Sequence, residues 1–493
     1  MKVAIIGSGI GGLGAAALLA SRGYEVTVYE KNDVLGGRAA VYEAEGFTFD
    51  MGPSWYLMPD VFKQFFDLLD EDVDELLDLV RLDPSYRVFF EGTPEPVDIP
   101  ADTKELAHIF EQFEAGAGAK LSKYLARVKA QYEVITTHYL WKNLQSPLTL
   151  VGRGAGKALI HVPLFGSVDS YVKRTFSSPK IRQLLEYTLV FLGASPYNAP
   201  AMYAMMAHVD YGLGVFYPQG GMYTLIEALV SIGKKHGVTF KLNTPITAII
   251  TQKGRATAIR LEDGSEPQYD IVISNADMEH TETVLLEESA RSYPKTYWDR
   301  RTLGPSALLM YLGVKGDIEQ FKHHTLYFSE DWSTHFKSIY ESKDLPENPC
   351  FYLCAPSKTD PSVAPKGFEN VFVLIPLPAT HFNDSEMHTY AESIIDHIST
   401  VTGVKDFRER ITYRRDFYPS EFITRYNSQS ATALGLAHTL TQTAFLRPSG
   451  KSRKLKNLYY VGAGVHPGVG MPVCLISSHI SAQQIFKDFP LAT

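Results

Sequence analysis

Hydrophobic residues at the start of the chain predict a strand, a helix and a second strand in close succession. Residues 2–6 (KVAII) are apolar and largely β-branched, residues 13–23 (LGAAALLASRG) have helical character, and residues 25–29 (EVTVY) predict the next strand. Glycines separate the first strand from the helix. This order of elements is typical of a βαβ unit in an α/β fold.

Similar patterns recur farther along the chain. Residues 61–69 predict a helix with one apolar face, and residues 223–235 predict another after the turn at 216–222 (FYPQGGM). Residues 237–276 then predict successive strands, with turns at Lys253-Gly254 and Asp263-Gly264. The fold class expected is therefore α/β, and α+β when the whole chain is considered.

The composition narrows the class of protein. The 493 residues are enough for two to four domains of roughly 100–200 residues each. The net charge of −8, without a long basic run, argues against nucleic acid as a partner. The three cysteines, Cys350, Cys354 and Cys474, form no CxxC pair and match no zinc-ligand spacing. We therefore expect no disulfide framework, no metal and a reduced, cytoplasmic setting.

The apolar N-terminus has an alternative interpretation as a secretory signal, because Lys2 precedes a run that ends in small residues. The patterned glycines and the strand at 25–29 favour the βαβ unit instead. No stretch offers about 20 uninterrupted apolar residues, as a transmembrane helix requires. Any membrane contact is therefore expected to be peripheral.

The turn after the first strand has the G-x-G-x-x-G order of a dinucleotide-binding site. The first glycine permits a tight turn, the second lets the backbone approach a pyrophosphate, and the third lets helix and strand pack closely. The residues predicted to bind here are Gly7, Ser8, Gly9, Gly11 and Gly12. Glu30 follows the turn by about 20 residues, where an acid binds the ribose of NAD or FAD. The alternative is an ordinary βαβ unit with a solvated carboxylate.

A second glycine pair follows the acid and favours a flavin over a nicotinamide cofactor. Arg38 can neutralise a pyrophosphate while the adjacent glycines let the chain pass close beside it, although a plain surface arginine is the alternative. Residues 47–55 (FTFDMGPSW) predict a strand that breaks into a loop able to reach a flavin ring. The predicted contacts in these stretches are Lys31, Gly36, Gly37, Arg38, Gly52, Pro53 and Ser54.

In these motifs the chain resembles the FAD-containing amine oxidase and phytoene desaturase superfamily, whose pattern is a GxGxxG turn, an acid and a GGR. It is most similar to bacterial and fungal-type carotenoid desaturases, through residues 36–54, 215–229 (VFYPQGGMYTLIEAL) and 457–472 (NLYYVGAGVHPGVGMP). The resemblance implies a discontinuous, Rossmann-like FAD-binding domain made of residues 1–75, 215–285 and 445–493. Residues 76–214 and 286–444 would form the substrate-binding and membrane-associating regions.

The resemblance also implies cofactor contacts outside the N-terminal motifs. The strand around Ile246 would contact the adenine side of FAD, and the polar turn at 275–277 would lie near the cofactor. The C-terminal loop would lie against the flavin through Gly462, Ala463, Gly464, Gly468, Val469, Gly470 and Met471. A helix from about Met471 or Pro472 would stabilise negative charge on the reduced flavin.

The C-terminal loop differs from the superfamily pattern at two positions. Many members of the superfamily carry an acid where this chain has Ala463, and its loss is typical of the desaturases and implies weaker, exchangeable FAD. Val465 replaces a small residue that is often threonine. His466 is a weak catalytic candidate that would orient the flavin or relay a proton, and a histidine that only fixes the turn is the alternative.

The function implied is FAD-dependent desaturation of an apolar carotenoid precursor such as phytoene, by hydride transfer to flavin N5. The sequence identifies no catalytic base, and reoxidation would require an acceptor such as a quinone or oxygen. Two alternatives remain open: a related flavoenzyme that isomerises or terminally oxidises carotenoids, and a non-catalytic isoprenoid-binding protein. Retention of Glu30, the GGR motif and Gly470-Met471 argues against the second.

Two aromatic- and methionine-rich stretches bear on the substrate and the membrane. Met202, Met205 and Met206 suit an adaptable apolar cavity, although a packed core explains them equally well. Residues 143–172 mix apolar residues with Arg153, Lys157 and His161, cations that would favour an anionic bilayer; a connecting helix is the alternative. We expect a cytoplasmic protein that associates peripherally with the cytoplasmic membrane.

Overall fold

The computed structural model describes residues 1–144, 146, 149, 155–163 and 165–491. The strands are β1 (Lys2–Ile6), β2 (Glu25–Tyr29), β3 (Val41–Ala44), β4 (Phe47–Asp50), β5 (Leu79–Arg81), β6 (Tyr86–Phe90), β7 (Val97–Ile99), β8 (Phe216–Pro218), β9 (Thr239–Lys241), β10 (Ile246–Gln252), β11 (Arg255–Leu261), β12 (Ile271–Ser274), β13 (Ser306–Lys315), β14 (His324–Phe328), β15 (Phe351–Cys354), β16 (Phe368–Leu377), β17 (Ile411–Phe417) and β18 (Leu458–Tyr460).

The helices alternate with these strands. They are α1 (Ile10–Ala20), α2 (Pro59–Asp67), α3 (Val73–Leu76), α4 (Thr103–Phe113), α5 (Ala117–Ile135), α6 (Ala155–His161), α7 (Val168–Lys173), α8 (Pro179–Glu186), α9 (Tyr223–Lys235), α10 (Met278–His280), α11 (Lys295–Trp298), α12 (Trp332–Tyr340), α13 (Asp384–Thr402), α14 (Phe407–Arg410), α15 (Pro419–Tyr426) and α16 (Met471–Asp488). Among the described residues, no helix has both the length and the apolar character needed to cross a bilayer.

A five-stranded parallel sheet holds the N-terminal βαβ unit. Its order is β18-β12-β1-β2-β9, so that strands from three distant segments of the chain lie side by side. Helix α1 is buried along its whole length, and packs against α9 and α16. A helix that is apolar on every side requires partners all round. A Cβ at Gly14 would lie 2.8 Å from Leu475, so this glycine allows α1 and α16 to approach closely.

A seven-stranded mixed sheet forms the second layer, in the order β17-β13-β16-β15-β14-β6-β7. All of its neighbouring strands are antiparallel except β14 and β6. Side chains of β13 alternate between two cores: Leu308 and Met310 pack in the same cluster as α13, whereas Leu309 and Tyr311 face the opposite side. The sheet is therefore buried on both faces.

The predicted elements are confirmed, with small differences at their ends. Strands β1 and β2 and helix α9 have the predicted bounds, and Lys253 and Gly254 form the turn between β10 and β11 with positive φ angles of 48° and 73°. Helix α1 begins at Ile10, three residues earlier than predicted, because the glycines of the turn continue into its first turn. The mixed α/β architecture agrees with the fold class expected.

Candidate active site

A cavity of about 830 Å³ joins the two sheets. One end is lined by the backbone of the glycine turn after β1, and the other by aromatic and methionine side chains above the seven-stranded sheet. A cleft of this size that is mostly apolar with a few polar groups is typical of a small-molecule site. The residues at each end show which ligand chemistry each accepts.

The glycine turn forms the polar end of the cavity. Gly7, Gly9 and Gly11 line it. A Cβ at Gly9 would lie 2.8 Å from Asn275 Nδ2, and one at Gly11 would lie 2.9 Å from the backbone of Gly462, so side chains are excluded at both positions. Helix α1 starts directly after Gly9, and its first N–H groups have no acceptor within the helix. The turn thus offers backbone donors to an anion.

Ser8 and Gly12 support this end without lining the cavity. A Cβ at Gly12 would lie 2.3 Å from the Gly7 carbonyl oxygen, which explains the close packing of α1 on β1. Ser8 donates its N–H and its hydroxyl to Glu30 Oε2. Glu30 Oε1 accepts from the N–H and Nδ2 of Asn32, at 2.9 and 2.8 Å. The acid predicted to bind ribose is therefore buried and held by four hydrogen bonds.

Lys31 and Arg38 line the cavity and contact a segment that the sequence did not connect with the cofactor. Arg38 Nη2 donates to Ser428 Oγ at 2.5 Å, and its guanidinium lies 5.3 Å from the Tyr426 ring centre. Lys31 Nζ donates to Asn427 Oδ1 at 3.0 Å. Among the described residues, the buried Arg38 Nε has no hydrogen-bond partner, so one donor remains for a ligand. Helix α15 and the turn after it thus extend the polar end.

The polar turn at 275–277 contributes more than its sequence indicated. Asn275 Nδ2 donates to the Gly7 carbonyl at 3.3 Å, and the Asn275 side chain fills the space left by several glycines of the turn. Asp277 lines the cavity and caps α10 by accepting from the N–H groups of Glu279 and His280. Burial raises the pKa of Asp277. No periodic pattern marks these residues, because their role depends on contacts with a turn about 270 positions earlier.

The middle of the cavity is lined by the loop that follows β4. Gly52, Pro53 and Ser54 all lie in its wall, with Gly36, Gly37 and Ile246. A Cβ at Gly52 would lie 2.6 Å from the Arg38 carbonyl oxygen, so glycine is required where these two chain segments cross. The Ser54 hydroxyl hydrogen-bonds the Tyr352 hydroxyl at 2.7 Å. The loop therefore connects the polar end with the seven-stranded sheet.

The C-terminal loop, residues 462–471, also lines the cavity. Gly462, Ala463, Val469, Gly470 and Met471 line the cavity, and their contact with FAD stays a prediction. Gly464 and Gly468 do not: a Cβ at the former would meet Met278, and one at the latter would lie 2.3 Å from the ring of His438. These neighbours leave no room for a side chain at Gly468 and little at Gly464, and the contact of both glycines with FAD stays a prediction. Helix α16 begins at Met471 with proline in its first turn, which agrees with the predicted helix start.

Two buried residues outside the loop hold it in place. His438 Nε2 accepts from the Val469 N–H at 3.1 Å, so His438 is neutral and its Nδ1–H points to the Tyr203 hydroxyl at 2.6 Å. Arg447 Nη2 donates to the Ala463 carbonyl at 2.7 Å. Burial lowers the pKa of Arg447 to about 10. The sequence did not single out either residue.

His466, the weak catalytic candidate, belongs to this loop and lines the cavity. Burial, followed by the charge of Arg447, lowers its pKa to about 4. The imidazole is therefore neutral at physiological pH. A neutral ring suits a positioning role better than storage of a proton.

The far end of the cavity is apolar. Its wall contains the three methionines of the sequence analysis, Met202, Met205 and Met206, so they line a cavity as well as packing in a core. Tyr187 also lines the wall and donates its hydroxyl to Asp210 Oδ2 at 2.8 Å. The large side chains that line the cavity include Trp55, Tyr132, Tyr187, Phe191, Phe328, Trp332, Tyr352 and Phe422.

The polar end fits FAD. The free N–H groups of the turn and the unpaired Arg38 Nε suit a pyrophosphate, and Glu30 lies where an adenosine ribose would be bound. A family model described as flavin-containing amine oxidoreductase matches residues 10–486. The chain belongs to this family. It is an FAD-dependent oxidoreductase.

Curated relatives of this flavoprotein are carotenoid desaturases. It is 43% identical over 488 residues to the carotenoid 3,4-desaturase of Haloarcula japonica, covering 99% of this chain and 98% of the relative. A 4,4'-diapophytoene desaturase of Staphylococcus haemolyticus is 32% identical, with 99% of both chains covered. A zeta-carotene-forming phytoene desaturase of Myxococcus xanthus is 31% identical, with 98% and 93% covered.

Solved structures share the fold of this flavoprotein at low identity. An oxidoreductase from Methanosarcina mazei has a TM-score of 0.63 at 16% identity, covering 99% of this chain and 100% of the other. Putrescine oxidase bound to putrescine has a TM-score of 0.61 at 15% identity, with 99% of both chains covered. At these identities the likeness shows the fold alone.

Proposed function

We propose that this flavoprotein introduces conjugated C–C double bonds into an apolar carotenoid precursor such as phytoene. The observation that carries the proposal is the continuous cavity, whose polar end fits FAD and whose other end is a wall of aromatic rings and methionines. An extended hydrocarbon gains free energy by leaving water for such a wall. The names of the relatives support the same substrate class.

The protein's contribution to this chemistry is positioning and exclusion of water. Bound FAD supplies the hydride acceptor at N5. The apolar wall holds the hydrocarbon beside the loops at 52–54 and 462–471, and the allylic hydrogens of a polyene are already activated by neighbouring double bonds. Correct placement of the reacting carbon then removes a large part of the barrier.

The wall also offers a group that can take up the proton. Tyr187 reaches the cavity and its hydroxyl donates to Asp210 Oδ2, which also accepts from Tyr86 at 3.1 Å. Burial raises the pKa of Asp210 to about 7, and its Oδ1 has no partner among the described residues. Tyr187 can therefore pass a proton to a carboxylate that accepts it near neutral pH.

The same proposal includes peripheral binding to an anionic membrane, from which a water-insoluble substrate would enter. Ile160, at the end of α6, is 78% exposed, and Phe165 is 86% exposed. Lys157 and His161 are exposed beside them, whereas Arg153 lies outside the described residues. Exposed apolar side chains beside a lysine match a surface that inserts between the headgroups of an anionic membrane.

The experiment that tests the function is conversion of defined substrates by the FAD-loaded protein on liposomes. Phytoene, partly desaturated carotenoids and fully conjugated carotenoids are supplied separately, with a quinone under anaerobic conditions or with oxygen. We expect products two hydrogen masses lighter, with absorption at longer wavelength. Unchanged mass with altered retention would favour isomerisation, a gain of oxygen would favour terminal oxidation, and no change with any substrate would contradict the proposal.

A further inference from the structure

A buried group of metal-ligating side chains lies beside the apolar wall. The ligating atoms of His323, His324 and Cys354 all lie within 4.8 Å of one another. Each residue is at most 5% exposed. Their proximity follows from strand pairing, because β14 begins at His324, β15 ends at Cys354, and the register places these two residues opposite each other. His323 joins them because its carbonyl accepts from the Ala355 N–H at 2.8 Å.

Hydrogen bonds orient both imidazoles through Nδ1 and leave Nε2 of each ring available to a ligand. His323 Nδ1 hydrogen-bonds Thr359 Oγ1 at 2.7 Å, and His324 Nδ1 hydrogen-bonds the Tyr352 hydroxyl at 2.8 Å. Both Nε2 atoms are buried and have no hydrogen-bond partner among the described residues. A buried polar atom without a partner is costly, and most such atoms in proteins are satisfied by something. Metal-binding histidines are oriented by a hydrogen bond at the second ring nitrogen in this way.

The surroundings favour a cation. Asp360 is buried and acts electrostatically on His323, and Asp50 acts on Cys354. The charge of a bound cation would therefore be offset by Asp360 and by the Cys354 thiolate.

We propose that His323 Nε2, His324 Nε2 and Cys354 Sγ bind one d¹⁰ cation, Zn²⁺ or Cu⁺. Two imidazoles and a thiolate are ligands that these soft or borderline ions prefer over Mg²⁺ or Ca²⁺. Ligands of a tetrahedral zinc ion lie about 3.3–3.6 Å apart, so side-chain rotation must close the present separations of at most 4.8 Å by no more than about 1.5 Å. Binding displaces the Cys354 thiol proton to solvent and forms the metal–sulfur bond.

The ion would stabilise the cavity wall. The Trp55 ring, which lines the cavity, stacks on His324 with centroids 4.1 Å apart and planes 7° apart. Tyr352 joins His324 to Ser54 through hydrogen bonds of 2.8 and 2.7 Å. A bound ion that fixes His324 therefore also fixes Trp55 and the loop at 52–54. The sequence did not predict this group, because it contains a single cysteine and that cysteine lies 30 residues after His324, which matches no common metal-binding motif.

The test measures metal in the full-length, FAD-loaded protein. We expect about one zinc or copper ion per chain after gel filtration, and elemental analysis identifies which of the two is bound. Cys354→Ser and His324→Ala should each reduce metal content at least about tenfold at equal flavin content. Cys350→Ser is the matched control, since it removes a buried thiol outside the group and should retain the metal.

Cobalt gives a second readout that does not depend on a variant. Co²⁺ added to the wild-type chain should produce the near-ultraviolet charge-transfer band of a cobalt–thiolate bond, and Cys354→Ser should abolish it. Absence of that band, together with absence of bound zinc or copper after incubation with either ion under reducing conditions, would overturn the proposal. Retention of metal in Cys354→Ser would overturn it as well.

Discussion

Ser8 holds Glu30 through two donors at once, because its N–H and its hydroxyl both reach Glu30 Oε2, at 2.9 and 2.7 Å. The contact joins the glycine turn after β1 to the end of β2. The carboxylate expected to bind a ribose is thus already oriented by the turn expected to bind the pyrophosphate. The part of the site expected to bind pyrophosphate therefore positions the carboxylate expected to bind ribose.

Loss of the Glu30 carboxylate should weaken FAD binding. We expect Glu30→Ala to raise the Kd for FAD by about ten- to a hundredfold, because hydrogen bonds to charged groups contribute about 1.5–3 kcal/mol each. Ser8→Ala should have a smaller effect, since the Ser8 N–H still holds Oε2. Flavin fluorescence titration of the apoprotein measures both.

Glu25 provides the matched control for this prediction. It is at the other end of β2 and is exposed, and its carboxylate forms a surface ion pair with Lys2 at 3.8 Å. Glu25→Ala removes the same side chain without touching the cavity and should leave the Kd for FAD unchanged. Wild-type affinity in Glu30→Ala would contradict the assignment of this carboxylate to the cofactor.

Local patterns were sufficient to predict the N-terminal unit but not the way its sheet is completed. Strands β1 and β2 can be predicted because each is a run of five residues with an apolar or alternating pattern, and both strands and the glycine turn lie within the first 30 residues. β18 joins β12 through contacts between Leu458–Tyr460 and residues almost 190 positions earlier. No periodicity in either strand specifies that pairing.

Long-range contacts of the candidate active site could not be predicted from the sequence either. Glycines and acids in the motifs were predictable because their geometry is local to a turn or a strand end. The packing role of Asn275 and the contribution of the segment at and after α15 have no local signal, since Asn275 fills space beside the glycine turn and Ser428 accepts a hydrogen bond from Arg38 across the fold. The sequence also carries no sign that Gly468 packs against the His438 ring, a contact that only the three-dimensional structure reveals.

His466 should not control the pH dependence of turnover near neutrality. Its pKa is about 4 because of burial and the charge of Arg447, so it stays neutral from about pH 5.5 upward. We expect His466→Gln to keep its flavin and to show the same pH–rate profile as the wild type between pH 5.5 and 8.5. Loss of an inflection near pH 6.5 in the variant would instead indicate that His466 titrates in the wild type.

Exposed apolar residues near α6 should determine binding to vesicles. We expect the double variant Ile160→Ser/Phe165→Ser to bind anionic liposomes at least about tenfold more weakly, because burial of each large apolar side chain contributes about 1.5–3 kcal/mol. Co-sedimentation with vesicles of increasing anionic lipid content measures the effect. Leu242→Ser is the control, since Leu242 is 38% exposed next to the five-stranded sheet. Equal binding by all three proteins would exclude this surface.

Asp210 should make the fold less stable as the pH rises. Burial raises its pKa from 3.8 to about 7. Between these values the folded chain retains a proton that the unfolded chain has released. The contribution of protonated Asp210 to the free energy of unfolding is therefore complete below about pH 3.8, and it is lost as the pH rises to about 7. The pKa of Asp210 differs by about three units between the folded and unfolded chain, which corresponds to about 4 kcal/mol in the free energy of unfolding.

Asp210→Asn removes this titration, because an amide keeps the acceptor for Tyr187 and cannot ionise. We expect the thermal midpoint of the variant to fall less between pH 5 and pH 8 than that of the wild type. Part of the fall should remain, since burial raises the pKa of Asp50 to about 7 as well. Asp263→Asn is the control, because hydrogen bonds from Ser265 lower the pKa of exposed Asp263 and it stays ionised throughout. If Asp210→Asn and the wild type show the same fall, Asp210 does not titrate in this range.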